Sequence, residues 1–197
     1  MGRRKSRNNL KDLDSKIKIS KKHCQGRIQR IKVNYHNPDL GNIHDLYCVI
    51  KGYKPVAIID VSNLALNQYR KTIKDLVNNI LKSAKNRGIQ VLIGKVPDTT
   101  ISSRLATFFP KKERKRAELV HYLSTTKRGR ALRNDYVYGR LLGYPDKNIQ
   151  YFYYKTSNLN KYQQDRKNAK ELIKLIINSD HYKNFIKHLK PFYFKPL

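Results

Sequence analysis

The sequence predicts an α/β domain: a small parallel sheet built on one βαβ unit, a helical C-terminal half and a disordered basic N-terminal arm. Three observations carry this expectation. The run VAII, residues 56–59, is short and wholly apolar and stops on Asp60, as a strand buried on both faces does. Ile73, Leu76, Val77, Ile80, Leu81 and Ala84 then recur at intervals of three and four, the stripe of an amphipathic helix. IQVLIGKV, residues 89–96, is a second apolar run, closed by Pro97-Asp98. Strand, long helix and strand predict parallel pairing through a right-handed crossover.

The elements follow in order. Residues 1–22 hold nine Lys/Arg and no aromatic residue, a composition that cannot offset its chain entropy by burial, so they read as an arm before a single domain, 23–197. In RIQRIKVNY, Ile31, Val33 and Tyr35 alternate with polar residues, the period of a half-buried strand. HNPDLGN is a turn by its Asn, Pro, Asp and Gly. IHDLYCVIKGY is ambiguous between helix and strand, with Gly52 closing it. Asn86-Arg87-Gly88 ends the amphipathic helix with a basic last turn and a glycine stop.

After the second strand the chain reads mainly as helix. ISSRLATFF, residues 101–109, is a short segment stopped by Pro110, and ERKRAELVHYLSTT follows with Leu119 and Leu123 on one side. RALRNDYVYGRLLGYP ends in a helix stop, Gly143 in the left-handed position and Pro145 just beyond. DKNIQYFYY reads equally as a helix begun by Pro145-Asp146 or as a strand by its alternation and aromatic content. Ala169, Leu172, Ile173, Ile176 and Ile177 share one helical face. The end, FIKHLKPFYFKPL, is aromatic, basic and interrupted by proline.

Charge is the strongest functional signal. Lys and Arg number 43 against 14 Asp and Glu, a net charge of +29. Self-repulsion of that size disfavours a compact chain unless a polyanion neutralises it. Nucleic acid is the matching partner, since every neutralised phosphate releases condensed counterions. No window approaches the ~18 apolar residues of a membrane helix, and no apolar stretch follows the basic N-terminus as in a secretory signal. These features lead us to expect an intracellular protein with no membrane partner, free or within a larger ribonucleoprotein or particle. Two cysteines, Cys24 and Cys48, match no zinc spacing with His23 and His44 and read as separate reduced thiols.

Candidate chemistry gathers at the strand tips. Ligands of an open parallel sheet bind at the carboxyl ends of its strands, which is where Asp60 and, just past the second strand, Asp98 would lie. Two carboxylates on neighbouring strand ends can share Mg²⁺ or Mn²⁺, and such an ion can activate a water against a phosphodiester. Asn63 would sit at the start of the following helix, able to cap it. An Asp at a strand end is equally ordinary turn chemistry, and Asp98, between Pro97 and Thr99-Thr100, suits a plain turn.

AIIDVSNLA, within residues 55–96, resembles the opening strand of PIN-domain and NYN-domain ribonucleases, which carry a D-x-x-N or D-x-S-N element at that tip. The resemblance implies a metal-dependent endoribonuclease using Mg²⁺ or Mn²⁺, with Asp60 as first ligand and Asn63 as its polar companion. It further implies a second acid opening a central helix, matched by Asp135 in RNDYVYGRLL or by Glu118 in RAELVHYL. The next strand of those families ends on Asp, where this chain has Thr156, Ser157 and Asn158. That departure suits a binding-only protein equally well.

Two further features point to phosphate and bases. Arg104, Lys111, Lys112, Arg114, Lys115, Arg116, Lys127, Arg128, Arg130 and Arg133 form a basic band against only Glu113 and Glu118, with a KRGR turn able to fork onto phosphate oxygens. Tyr151, Phe152, Tyr153, Tyr154, Tyr162, Phe192, Tyr193 and Phe194 lie among lysines, where unstacked bases could rest on rings not taken by the core. The expectation is therefore a nucleic-acid-binding protein, RNA favoured over DNA. It is either a metal-dependent endoribonuclease or a non-catalytic packaging, architectural or ribonucleoprotein component.

Overall fold

The computed structural model describes residues 39–60, 82–97 and 104–191. The expected basic arm, the strand expected near residues 31–35 and most of the expected crossover helix lie outside these segments.

Helix α1 (Asp39–Ile50) resolves the ambiguous IHDLYCVIKGY segment as helix. Its last turn, Leu46 to Ile50, is fully buried, and Gly52 follows at φ +76°, a left-handed exit. Strand β1 (Ala57–Asp60) ends on the expected Asp60, and β2 (Ile89–Lys95) begins after helical residues 82–86 and the left-handed Gly88. The segment that read with the helices is instead a third strand, β3 (Arg104–Pro110).

That strand changes the sheet. The order is β1-β3-β2, and both pairings are antiparallel, Ala57 opposite Phe108 and Val91 opposite Phe108 from the other side. The parallel βαβ sheet expected from the sequence is therefore not formed. β1 and β2 do run in the same direction, but β3 is inserted between them. The difference has a physical cause. Ala106 to Phe109 are buried on both faces of the central strand, so LATFF shows no alternation, and periodicity cannot separate such a run from a helical segment.

Thr107 and Phe109 on β3 face helix α2 (Arg114–Thr125), which the 3₁₀ turn Lys111–Glu113 leads into. Ala106 and Phe108 point the other way and are also buried. α2 is the central helix: every residue from Ala117 to Ser124 is buried. Ala117 and Val120 meet Val56, Leu92 and Phe109 under the sheet, while Leu119, Tyr122 and Leu123 meet Ile176 and Tyr182 on the far side.

Four more helices and one short helical segment follow among the described residues: α3 (Lys127–Ala131), α4 (Asp135–Leu141), α5 (Asp146–Lys155), α6 (Leu159–Asn178) and α7 (Asp180–Lys187). DKNIQYFYY is thus helix. Asn134 caps α4 through Val137 N–H and Ser179 caps α7 through Tyr182 N–H. Gly143 makes the predicted stop at φ +88°, and a Cβ there would also come within 2.3 Å of Pro55 Cδ, so conformation and packing both require glycine. A second core of Ile149, Tyr153 and Tyr162, flanked by Tyr136 and Tyr144, holds α4, α5 and α6 together.

Candidate nucleic-acid interface

The basic band divides into two groups at opposite ends of α2. Lys111, Lys112, Arg114, Lys115 and Arg116 surround its start, and Lys127, Arg128, Arg130 and Arg133 follow its end. A twelve-residue helix is about 18 Å long, so the groups stand roughly five stacked nucleotides apart at ~3.4 Å each. Arg104 joins the second group through the sheet: it pairs with Lys95 in register, and Arg130 Nη1 donates to the Pro97 carbonyl at 2.7 Å just beyond.

Counter-charge within the band is sparse. Arg114 Nε meets Glu118 Oε1 at 2.8 Å, Arg116 meets Glu113 at 3.2 Å, and Arg133 lies 3.9 Å from Asp135. Lys111, Lys112, Lys115 and Arg128 are exposed and have no carboxylate partner among the described residues. The Arg116–Glu113 and Arg133–Asp135 pairs are partly exposed and contribute little to stability, so these two arginines can exchange their contacts for a phosphate at small cost.

Near the first group the surface is concave. An open cavity of about 410 Å³ lies between the Gly52–Pro55 loop, the start of α2 and the α4–α5 corner, with Lys112, Arg116 and Arg140 on its walls and Glu113 beside them. Lys54 forms its floor and is almost fully buried. Burial works to lower its pKa, but the Asp45 carboxylate at 2.7 Å, helped by Tyr144, outweighs this and holds it raised. The ammonium also lies 4.0 Å from the Tyr144 ring centroid, a contact that favours its charged form.

The KRGR segment differs from the expected turn. Lys127 to Ala131 is a short helical segment, with Thr126 accepting from Gly129 N–H at 2.8 Å. Gly129 does not loosen the chain. It is buried, and a Cβ there would fall 2.1 Å from the Tyr122 carbonyl oxygen. Close approach to α2 is what selects glycine.

The candidate catalytic residues sit on separate elements. Asp60 closes β1 half-buried, opposite Leu105. Asn63 and Asp98 lie outside the described residues. The ends of β1 and β2 are not neighbours as expected, because β3 separates them by two strand spacings, about 10 Å. Glu118 is buried on α2, held by Arg114, and near Tyr182, whose hydroxyl pKa is pushed up to about 12 by burial and then by the Glu118 charge. Asp135 opens α4 between Arg133 and Lys161, at 3.9 and 3.7 Å. Among the described residues no three His, Cys, Asp or Glu side chains converge.

Two acids of the helical half accept from buried tyrosines. The Tyr153 hydroxyl donates to Asp165, which with burial keeps that phenol strongly protonated. Tyr162 donates to Asp146 at 2.8 Å. Tyr153 and Tyr162 are therefore core residues, whereas Tyr151, Phe152 and Tyr154 are 42%, 54% and 64% exposed. Phe192, Tyr193 and Phe194 lie outside the described residues.

Sequence reasoning gave no role to His121. It is buried on α2, its Nδ1 2.9 Å from Thr107 Oγ1, and burial pushes its pKa down to about 4, so the ring is a neutral structural group. Cys48, fully buried, is disulfide-bonded rather than the reduced thiol expected; Cys24 lies outside the described residues. No helix among the described residues is long and apolar enough to cross a membrane. Set against known protein families, curated proteins and solved structures, the chain matches none, so the resemblance to PIN and NYN nucleases stands on AIIDVSNLA alone.

Proposed function

We propose that this protein binds nucleic acid, RNA in preference to DNA, as a non-catalytic ribonucleoprotein or packaging component. The supporting observation is the set of exposed cations without carboxylate partners at both ends of α2, Lys111, Lys112 and Lys115 at one and Arg128 at the other. Four described acids, by contrast, are engaged within the fold: Asp45 with Lys54, Glu118 with Arg114, Asp146 with Tyr162 and Asp165 with Tyr153. This leaves the positive charge on the outside. The preference for RNA rests on the PIN/NYN resemblance and on exposed aromatic rings suited to unpaired bases.

The test is a salt titration of binding to a single-stranded RNA. Contacts through these four cations give a slope of log K on log salt of about −3 or steeper. Replacing Lys111, Lys112, Lys115 and Arg128 by Gln flattens it by about 3. A slope near zero in the parent protein overturns the reading.

A metal-dependent endoribonuclease is the second reading, favoured by Asp60 at the carboxyl end of β1. RNA cleavage in Mn²⁺ that Asp60→Asn abolishes while binding persists would establish it. Intact RNA with both proteins supports the non-catalytic role.

A further inference from the structure

We propose that the outward face of α5 is a stacking platform for unpaired bases, so that the nucleic acid held here is single-stranded over this helix. The inference rests on the nucleic-acid reading above and adds the form of the ligand. α5 has two unlike faces. Ile149 and Tyr153 turn inward, Tyr153 meeting Tyr162 edge-on at 5.6 Å between ring centroids. Tyr151 and Tyr154, three residues apart and so on one face, turn outward with Phe152 beside them. The Tyr151 and Tyr154 hydroxyls have no partner among the described residues, so neither ring is tethered by its polar end.

Charge decides the occupant. Lys147 and Lys155 stand one turn to either side of Tyr151 on the same face, and Lys155 Nζ lies 5.1 Å from the Tyr151 ring centroid. The one acid of α5, Asp146, is occupied by Tyr162 and Arg166. A second copy of a chain carrying +29 would bring like charges together over these rings. A polyanion would be drawn to them. Within a duplex the base faces are already stacked on each other, and only unpaired bases have faces to offer an aromatic ring. Lysines at both ends of an aromatic pair match a strand whose phosphates flank its bases.

Three probes of one length separate stacking from charge: a single-stranded RNA 12-mer, its abasic counterpart with the same phosphates, and the duplex. Fluorescence anisotropy reads affinity for each. Tyr151→Ser with Tyr154→Ser lowers affinity for the single strand about tenfold or more. Binding of the abasic strand and the duplex stays within about twofold. Tyr151→Phe with Tyr154→Phe keeps the rings and restores single-strand binding, which a purely structural or hydroxyl role would not do. Unchanged single-strand affinity in the serine variant overturns the platform, and so does an equal loss on all three probes. Sedimentation separates the remaining case: self-association of the parent that the serine variant abolishes assigns the face to a second copy and overturns the platform. Absence of binding to every probe removes the nucleic-acid reading itself, and the platform with it.

Discussion

Beneath the sheet, Val56, Leu92, Phe109, Ala117 and Val120 form an apolar cluster beside the buried polar pair Thr107–His121, whereas between α4, α5 and α6 the buried residues are Ile149, Tyr153 and Tyr162. The first core is held by removal of apolar surface from water, which has no direction. The second adds directed bonds, Tyr153 to Asp165 and Tyr162 to Asp146, and edge-on ring contacts of Tyr162 with Tyr136 and Tyr153. The contrast locates the acids of a very basic chain. In the helical half Asp146 and Asp165 receive tyrosine hydroxyls, while Asp135 and Glu171 pair with surface cations.

The apolar side should be the more sensitive to truncation. Phe109→Ala leaves a cavity between the sheet and α2 and lowers unfolding free energy by about 4 kcal/mol in urea. A loss below about 1 kcal/mol would mean that the sheet layer is not where stability resides. Next comes acid. His121 takes no proton in the folded protein until about pH 4, whereas the unfolded chain takes one near pH 6.5. The unfolded state therefore binds more protons between those values. Stability falls as pH drops from 6.5 to 4, by about 3 kcal/mol, and this contribution changes no further below. His121→Gln removes that slope while leaving an amide for Thr107; a parent curve as flat as the variant's would contradict the burial argument. The tyrosine side should yield least. Tyr153→Phe removes one bond to a half-exposed carboxylate that water can solvate, so about 1 kcal/mol is lost. A loss as large as that at Phe109 would erase the contrast between the two cores.

Much of the local structure was legible in the residues. Asp60 at the end of β1, Gly88 before β2 and Gly143 before Pro145 sit where their chemistry requires, because a strand tip and a left-handed stop are local events. Pairing is not local. Nothing in VAII or IQVLIGKV tells whether the two strands touch, and β3 escaped notice because burial on both faces removes alternation. At the candidate interface the ten cations were legible, but their division between the two ends of α2 was not. Nor could spacing among Tyr151, Phe152, Tyr153 and Tyr154 alone say which rings the core would take, since that depends on where α6 lies.

The insertion of β3 between β1 and β2 also sets an order of assembly. β2 and β3 are consecutive and zip from Lys95 opposite Arg104, a hairpin closed over a short loop. β1 finds its partner only about fifty residues later, at Phe108. A chain that has emerged only as far as Lys95 offers neither apolar run its ladder partner, and the sheet can close only once the residues up to Pro110 are available.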